Sequence, residues 1–189
     1  MKTTALKSRF GFTLVELMVV VSVIGILSAV VYASFGDSRK IARDDIRKTD
    51  LKNLQVAIEL YRAQNGRYPE QGCGTVGTQW AGAAPVNNSA LSSCPQYIVK
   101  LVPDFIASLP IDPFYKTTNN LGYYYRTDAL GTAYKLMARD SVEVKKVTSY
   151  ADEFARCPSK RSDVVTNDCG PNPNPNTYAV YKGAAALNW

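Results

Sequence analysis

The 189-residue chain carries a formal net charge of +6 and no histidine. That leaves room for one modest domain with accessory segments and removes the imidazole on which Ser-His and Cys-His catalysis depends. Its lysines and arginines are dispersed among acids, so no nucleic-acid partner is expected.

Read in chain order, the sequence opens on a short basic leader, "MKTTALKSRFG", with Lys2, Lys7 and Arg9. An apolar segment follows, without a charge from Leu17 to Gly36. That is about the 20 residues a helix needs to cross a bilayer core. Positive charge before such a segment holds that end in the cytoplasm and predicts export of everything after residue 36. Glu16 stands at the edge of the segment. A carboxylate there costs free energy unless it lies at the headgroup level or has a partner.

Helical periodicity continues past the apolar segment. Leu51, Leu54, Ile58 and Tyr61 form one stripe of an amphipathic helix, and no proline interrupts residues 12–64. Asn65-Gly66 supplies the stop. One helix of about 50 residues is predicted, apolar in its first half and amphipathic in its second. Residues 69–96 read as loop, 97–109 as a short helix or extended run, and Asp112-Pro113 and Asn119-Asn120 as turns. "GYYYRTD" and "AYKLMARD" read as two strands joined by "ALGT", and "YAVYKG" as a last strand. Alternation places Tyr123 and Tyr125 on one face and Tyr124 on the other, as in a half-buried strand. Residues 141–156 fit strand or helix equally. The fold class is therefore α+β: one long N-terminal α-helix, first half transmembrane, packed against a small antiparallel β-sheet.

All four cysteines, Cys73, Cys94, Cys157 and Cys169, fall in the exported part. An even number there predicts two disulfides with three pairings, of which the sequence neighbours Cys73–Cys94 and Cys157–Cys169 are the simplest. Without histidine or a C-x-x-C pair they do not make a zinc site, and neither a metal nor another cofactor is predicted.

The remaining signal lies in "RFGFTLVELMVVVSVIGIL". Gly11 lets a protease approach the backbone closely, and cleavage after it would leave the Phe12 amine about one helical turn from Glu16. These residues resemble the class III signal of type IV pilins and type II secretion pseudopilins. The resemblance implies cleavage after Gly11, methylation of the Phe12 amine, and Glu16 guiding assembly by pairing with a neighbour's N-terminus. "NGRYP" and "LPIDPF" resemble the major pseudopilins in particular. The resemblance implies a leader at 1–11, a membrane and filament-core helix at 12–36 and an exported pilin-like domain at 37–189. It implies a non-enzymatic subunit held in the inner membrane and then assembled into a helical filament of identical copies. Its implied partners are a prepilin peptidase, an inner-membrane assembly platform, minor pilins or pseudopilins, and membrane lipid before assembly. Two departures stand out. Ala33 occupies the place where many relatives have a proline. The final loop, where major pseudopilins typically bind calcium, holds Asp163, Asn167 and Asp168 without a clear acidic ligand pattern.

Two other readings compete. Conventional signal cleavage after Ala33 would release a secreted binding module starting at Ser34, but the apolar segment exceeds a usual signal core. A membrane-anchored enzyme using Asp44-Asp45 or Asp152-Glu153 has only adjacent acids to recommend it, and these read more simply as solvated helix faces.

Overall fold

The computed structural model describes residues 11–83, 89–114, 120–157 and 175–189. Two compact units divide the chain, Met1–Arg39 and Lys40–Trp189. A single helix, α1 (Leu14–Asn65), contributes to both.

In the first unit α1 carries no charge from Leu17 to Gly36, and its large apolar side chains are exposed, from 46% at Val20 to 84% at Tyr32. In the second unit the same helix buries one stripe. Leu51, Leu54, Ala57, Ile58 and Tyr61 are all buried, at the helical spacing read from the sequence. The helix ends where glycine permits it: Gly66 has φ 75° and donates its N–H to the Arg62 carbonyl at 2.8 Å.

Against this stripe lies a five-stranded sheet of β1 (Trp80–Gly82), β2 (Leu91–Ser93), β3 (Gly122–Thr127), β4 (Tyr134–Arg139) and β5 (Tyr178–Lys182), in the order β2-β1-β3-β4-β5. β3 and β4 form the expected hairpin, pairing Tyr125 with Leu136, and β5 runs antiparallel to β4. Tyr123, Tyr125, Tyr134, Leu136, Tyr178 and Val180 join the α1 stripe in one core. Their hydroxyls find partners at its margin: Tyr125 donates to the Pro69 carbonyl and Tyr123 to Asp50, both at 2.7 Å.

The sheet departs from the sequence reading in three ways. It is mixed rather than wholly antiparallel, because β1 and β2 pair in parallel within residues read as loop. The disulfide Cys73–Cys94 ties the chain just before β1 to the chain just after β2, and Cys94 donates its N–H to the Gly82 carbonyl at 2.8 Å. Three-residue strands are too short to show a period in sequence. Second, the sheet is buried on both faces. Tyr124, expected on a solvated face, is 0% exposed beside Trp80, Leu91, Met137 and Ala179, and Trp189 packs against that cluster. Gly82 makes this possible, since a Cβ there would fall 2.5 Å from the Tyr124 ring. Third, the described parts of 97–109 and 141–156 form turns and loops rather than helix or strand, and a short 3-10 helix (Ala185–Asn188) follows β5.

Residues 1–10 of the leader lie outside the described residues. So do Cys169, and with it the Cys157–Cys169 pairing, and Asp163, Asn167 and Asp168.

Candidate functional site

The start of α1 is built from Gly11, Phe12, Thr13 and Glu16. Among the described residues nothing lies within 4 Å of the position a Gly11 side chain would take, and Phe12 is 81% exposed. The peptide bond between them is open to a large partner. Thr13 immediately precedes the helix. Its N–H and its hydroxyl both donate to Glu16 Oε2, at 2.9 and 2.7 Å, and its Oγ1 accepts the Glu16 N–H at 3.3 Å.

This reciprocal pattern is a capping box, in which a Thr and a Glu three residues on satisfy each other's orphan amides. The carboxylate also sits at the positive end of the helix dipole. Sequence reasoning asked what Glu16 pairs with and overlooked Thr13, although "TLVE" carries the T-x-x-E signature. Both hydrogen bonds fall on Oε2. Among the described residues Oε1 has no partner and is open to a second donor.

Behind this turn α1 is the one helix, among the described residues, long and apolar enough to cross a membrane, with a mean hydropathy of 2.7 over its most apolar window. Within it Ser22 returns its hydroxyl to the Met18 carbonyl at 2.7 Å, which removes its polarity from the surface.

A second polar constellation lies wholly within the second unit; it includes Asp44, which reads in sequence as part of a solvated helix face but is fully buried. Arg47 is 0% exposed. Its Nε and Nη2 grip Asp112 at 2.8 and 2.9 Å, while Nη1 donates to Asp44 at 2.8 Å and Glu143 at 3.0 Å. Arg43 holds the other side of Glu143 at 2.7 and 2.5 Å. Asp44 in turn accepts the backbone N–H groups of Glu143, Val144 and Lys145 at 3.0, 2.8 and 2.9 Å. Burial pushes the Asp44 carboxyl upward, but those three amides and Arg47 outweigh it and hold it below the usual range. The Arg43 hydrogen bond does the same for Glu143.

These groups staple α1 to the loops at 112 and 143–145, and every carboxylate among them is engaged by a guanidinium. That arrangement does not suit a metal, and among the described residues no group of three or more Cys, Asp or Glu is placed to hold one. Its hydrogen bonds hold the loops at 112 and 143–145 on the helix.

Comparison with known proteins bears on the first constellation. Residues 6–32 match a family described as a prokaryotic N-terminal methylation motif. The type II secretion system core protein G of Pseudomonas aeruginosa is 31% identical over 108 residues, 57% of this chain and 70% of that protein. Its counterpart in Vibrio cholerae is 32% identical over 84 residues, 43% of this chain and 58% of that protein. The type IV major pilin protein PilA of Myxococcus xanthus is 38% identical over 60 residues, 32% of this chain and 27% of that protein. No solved structure matches the chain significantly.

Proposed function

The chain belongs to the type IV pilin and type II secretion pseudopilin family and is a structural subunit of a pseudopilus or pilus-like filament, and on that premise we propose that its filament is a secretion pseudopilus, assembled from subunits cut after Gly11, methylated on the Phe12 amine and set in register by Glu16. The longer similarity to core protein G than to the pilin favours secretion over a surface pilus. The role is non-catalytic.

The observation that carries the proposal is the division of labour at Glu16. Oε2 is occupied by the chain's own Thr13, while Oε1 of this exposed residue accepts no hydrogen bond among the described residues. Hydrolysis of the Gly11–Phe12 bond creates an ammonium group two residues before the first helical residue, Leu14. A neighbour's ammonium at Oε1 neutralises the carboxylate as it leaves the headgroup region, and this happens only when adjacent helices are staggered correctly. Before assembly, residues 12–36 anchor the subunit in the inner membrane with 37–189 exported and residues 1–11 removed. A prepilin peptidase, an inner-membrane assembly platform and minor pseudopilins are the partners this pathway requires.

Intact mass and N-terminal sequencing of the protein from its native membrane test the processing. A chain beginning at methylated Phe12 is expected, whereas one beginning at Ser34 would refute it. Glu16→Gln separates the two roles of the side chain. It keeps an acceptor for Thr13 and loses the charge, so the subunit should insert normally while filament yield collapses. Normal filaments from Glu16→Gln would exclude the charge-pairing role.

A further inference from the structure

The chain enters the second unit at Lys40, and the loops held by the buried Arg47 network lie against the helical turns that follow. Within that network the carboxylates of Asp44 and Asp112 turn inward and are buried. Their apolar neighbours are left outside. Ile111 and Phe114, on either side of Asp112 and Pro113, are 59% and 39% exposed, and Val144, next to Glu143, is 43% exposed. Ile41, about one turn before Asp44 on α1, is exposed too. Arg43 ties the loops together, for its guanidinium lies 5.0 Å over the Phe114 ring and holds Glu143. A water-facing surface puts acids out and large apolar side chains in; this face does the reverse. The exposed charges adjoining it in sequence lean positive, with Arg39, Lys40, Lys145 and Lys146 against Asp37 and Asp45.

We infer that this patch docks the second unit on the headgroup layer of the bilayer while the subunit is a membrane-held monomer. The inference deepens the proposed function and rests on its anchored stage. The tether decides the occupant. The uncharged run ends at Gly36 and the second unit begins at Lys40, four residues later. Four residues span about 14 Å even when fully extended, and the headgroup layer on one side of a bilayer is itself about 5–7 Å thick. That bound holds for any arrangement of the two units, so the point of entry stays beside lipid. Such enforced proximity lets a contact of a few side chains suffice, and no protein partner shares it. The chemistry fits as well. Isoleucine, valine and phenylalanine insert at the acyl boundary while lysine and arginine at the margin meet phosphate. The carboxylates of Asp112, Asp44 and Glu143, which anionic lipid would repel, are already engaged by guanidinium groups.

Site-directed fluorescence in lipid vesicles tests this. The full-length chain is reconstituted into vesicles of phosphatidylcholine and phosphatidylglycerol with a polarity-sensitive dye on one introduced thiol at a time. The positions are Ile111→Cys, Val144→Cys, Ile24→Cys in the apolar segment, and Leu130→Cys, 76% exposed on the β3–β4 turn. Dyes at Ile111 and Val144 should lose about half of their emission or more to a nitroxide carried at the headgroup end of the lipid, and the dye at Leu130 little. Ile111→Glu should remove the quenching at Val144 while the detergent-solubilised variant keeps the wild-type urea midpoint. Quenching at Ile24 by a nitroxide at the bilayer centre, without headgroup quenching at Ile111 and Val144, would overturn the inference and leave the anchored subunit standing. Equal headgroup quenching at Leu130, or quenching at Val144 that survives Ile111→Glu, would overturn it as well. No quenching at Ile24 would overturn the anchor and the inference together.

Discussion

Replacement of Arg47 by methionine gives the sharpest test of how the globular unit is held to its helix. Arg47→Met preserves bulk and removes one buried cation. The loss does not fall equally on its three partners. Glu143 keeps both bonds from Arg43, and Asp44 keeps its three backbone amides. Asp112, only 3% exposed, loses a two-pronged grip and retains the Phe114 N–H at 2.8 Å. The cost is therefore the cost of one carboxylate left buried without its counter-ion, about 3–5 kcal/mol. Against the roughly 5–15 kcal/mol by which a domain of this size is folded, that is a large fraction. Removing the stranded charge as well, in Arg47→Met with Asp112→Leu, should return at least ~2 kcal/mol, because an apolar pair of similar volume replaces an ion pair at little net cost. Urea titration of the full chain in detergent, followed by the fluorescence of Trp80 and Trp189, reads both variants. A single-mutant loss below about 1 kcal/mol, or a double mutant no more stable than the single, would refute the claim that this buried network holds the loops at 112 and 143.

Three further outcomes follow from the same geometry. Asp44 and Glu143 have folded-state pKa values below their unfolded values of about 3.9 and 4.3. Their contribution is therefore complete above about pH 5 and lost as pH falls through and below 4. Asp50, raised by burial, works in the opposite sense, so the urea midpoint should fall from pH 5 to pH 2.5 and fall less steeply in Asp44→Asn. A flat profile in the wild type would contradict the assignment. Leu54, fully buried between α1 and the sheet, should cost about 2–5 kcal/mol as Leu54→Ala, measurable as a shift in thermal midpoint. Opening the Cys73–Cys94 loop, with a sequence separation of 21, should cost about 3 kcal/mol in the double serine variant; unchanged urea denaturation would show that the β1–β2 ladder holds itself.

Sequence and structure divide the determination of this protein along a physical line. Features that repeat along the chain were legible. The apolar run from Leu17, the stripe through Leu51, Leu54, Ile58 and Tyr61, the Asn65-Gly66 stop and the β3–β4 hairpin all arise from local periodicity and turn chemistry, which act between near neighbours. The motif around Gly11, Phe12 and Glu16, proposed to direct cleavage and assembly, is also local, and so was the overlooked capping box. Features that depend on what lies across the fold were not. The parallel β1–β2 pair is too short to have a period, and Tyr124 alternates as a surface residue yet is sealed by Trp80 and Met137 from other strands. The sequence shows that Arg47 and Asp112 are charged, 65 residues apart. Only the packing of loops on α1 brings them into contact, because a buried ion pair is specified by three-dimensional placement rather than by spacing.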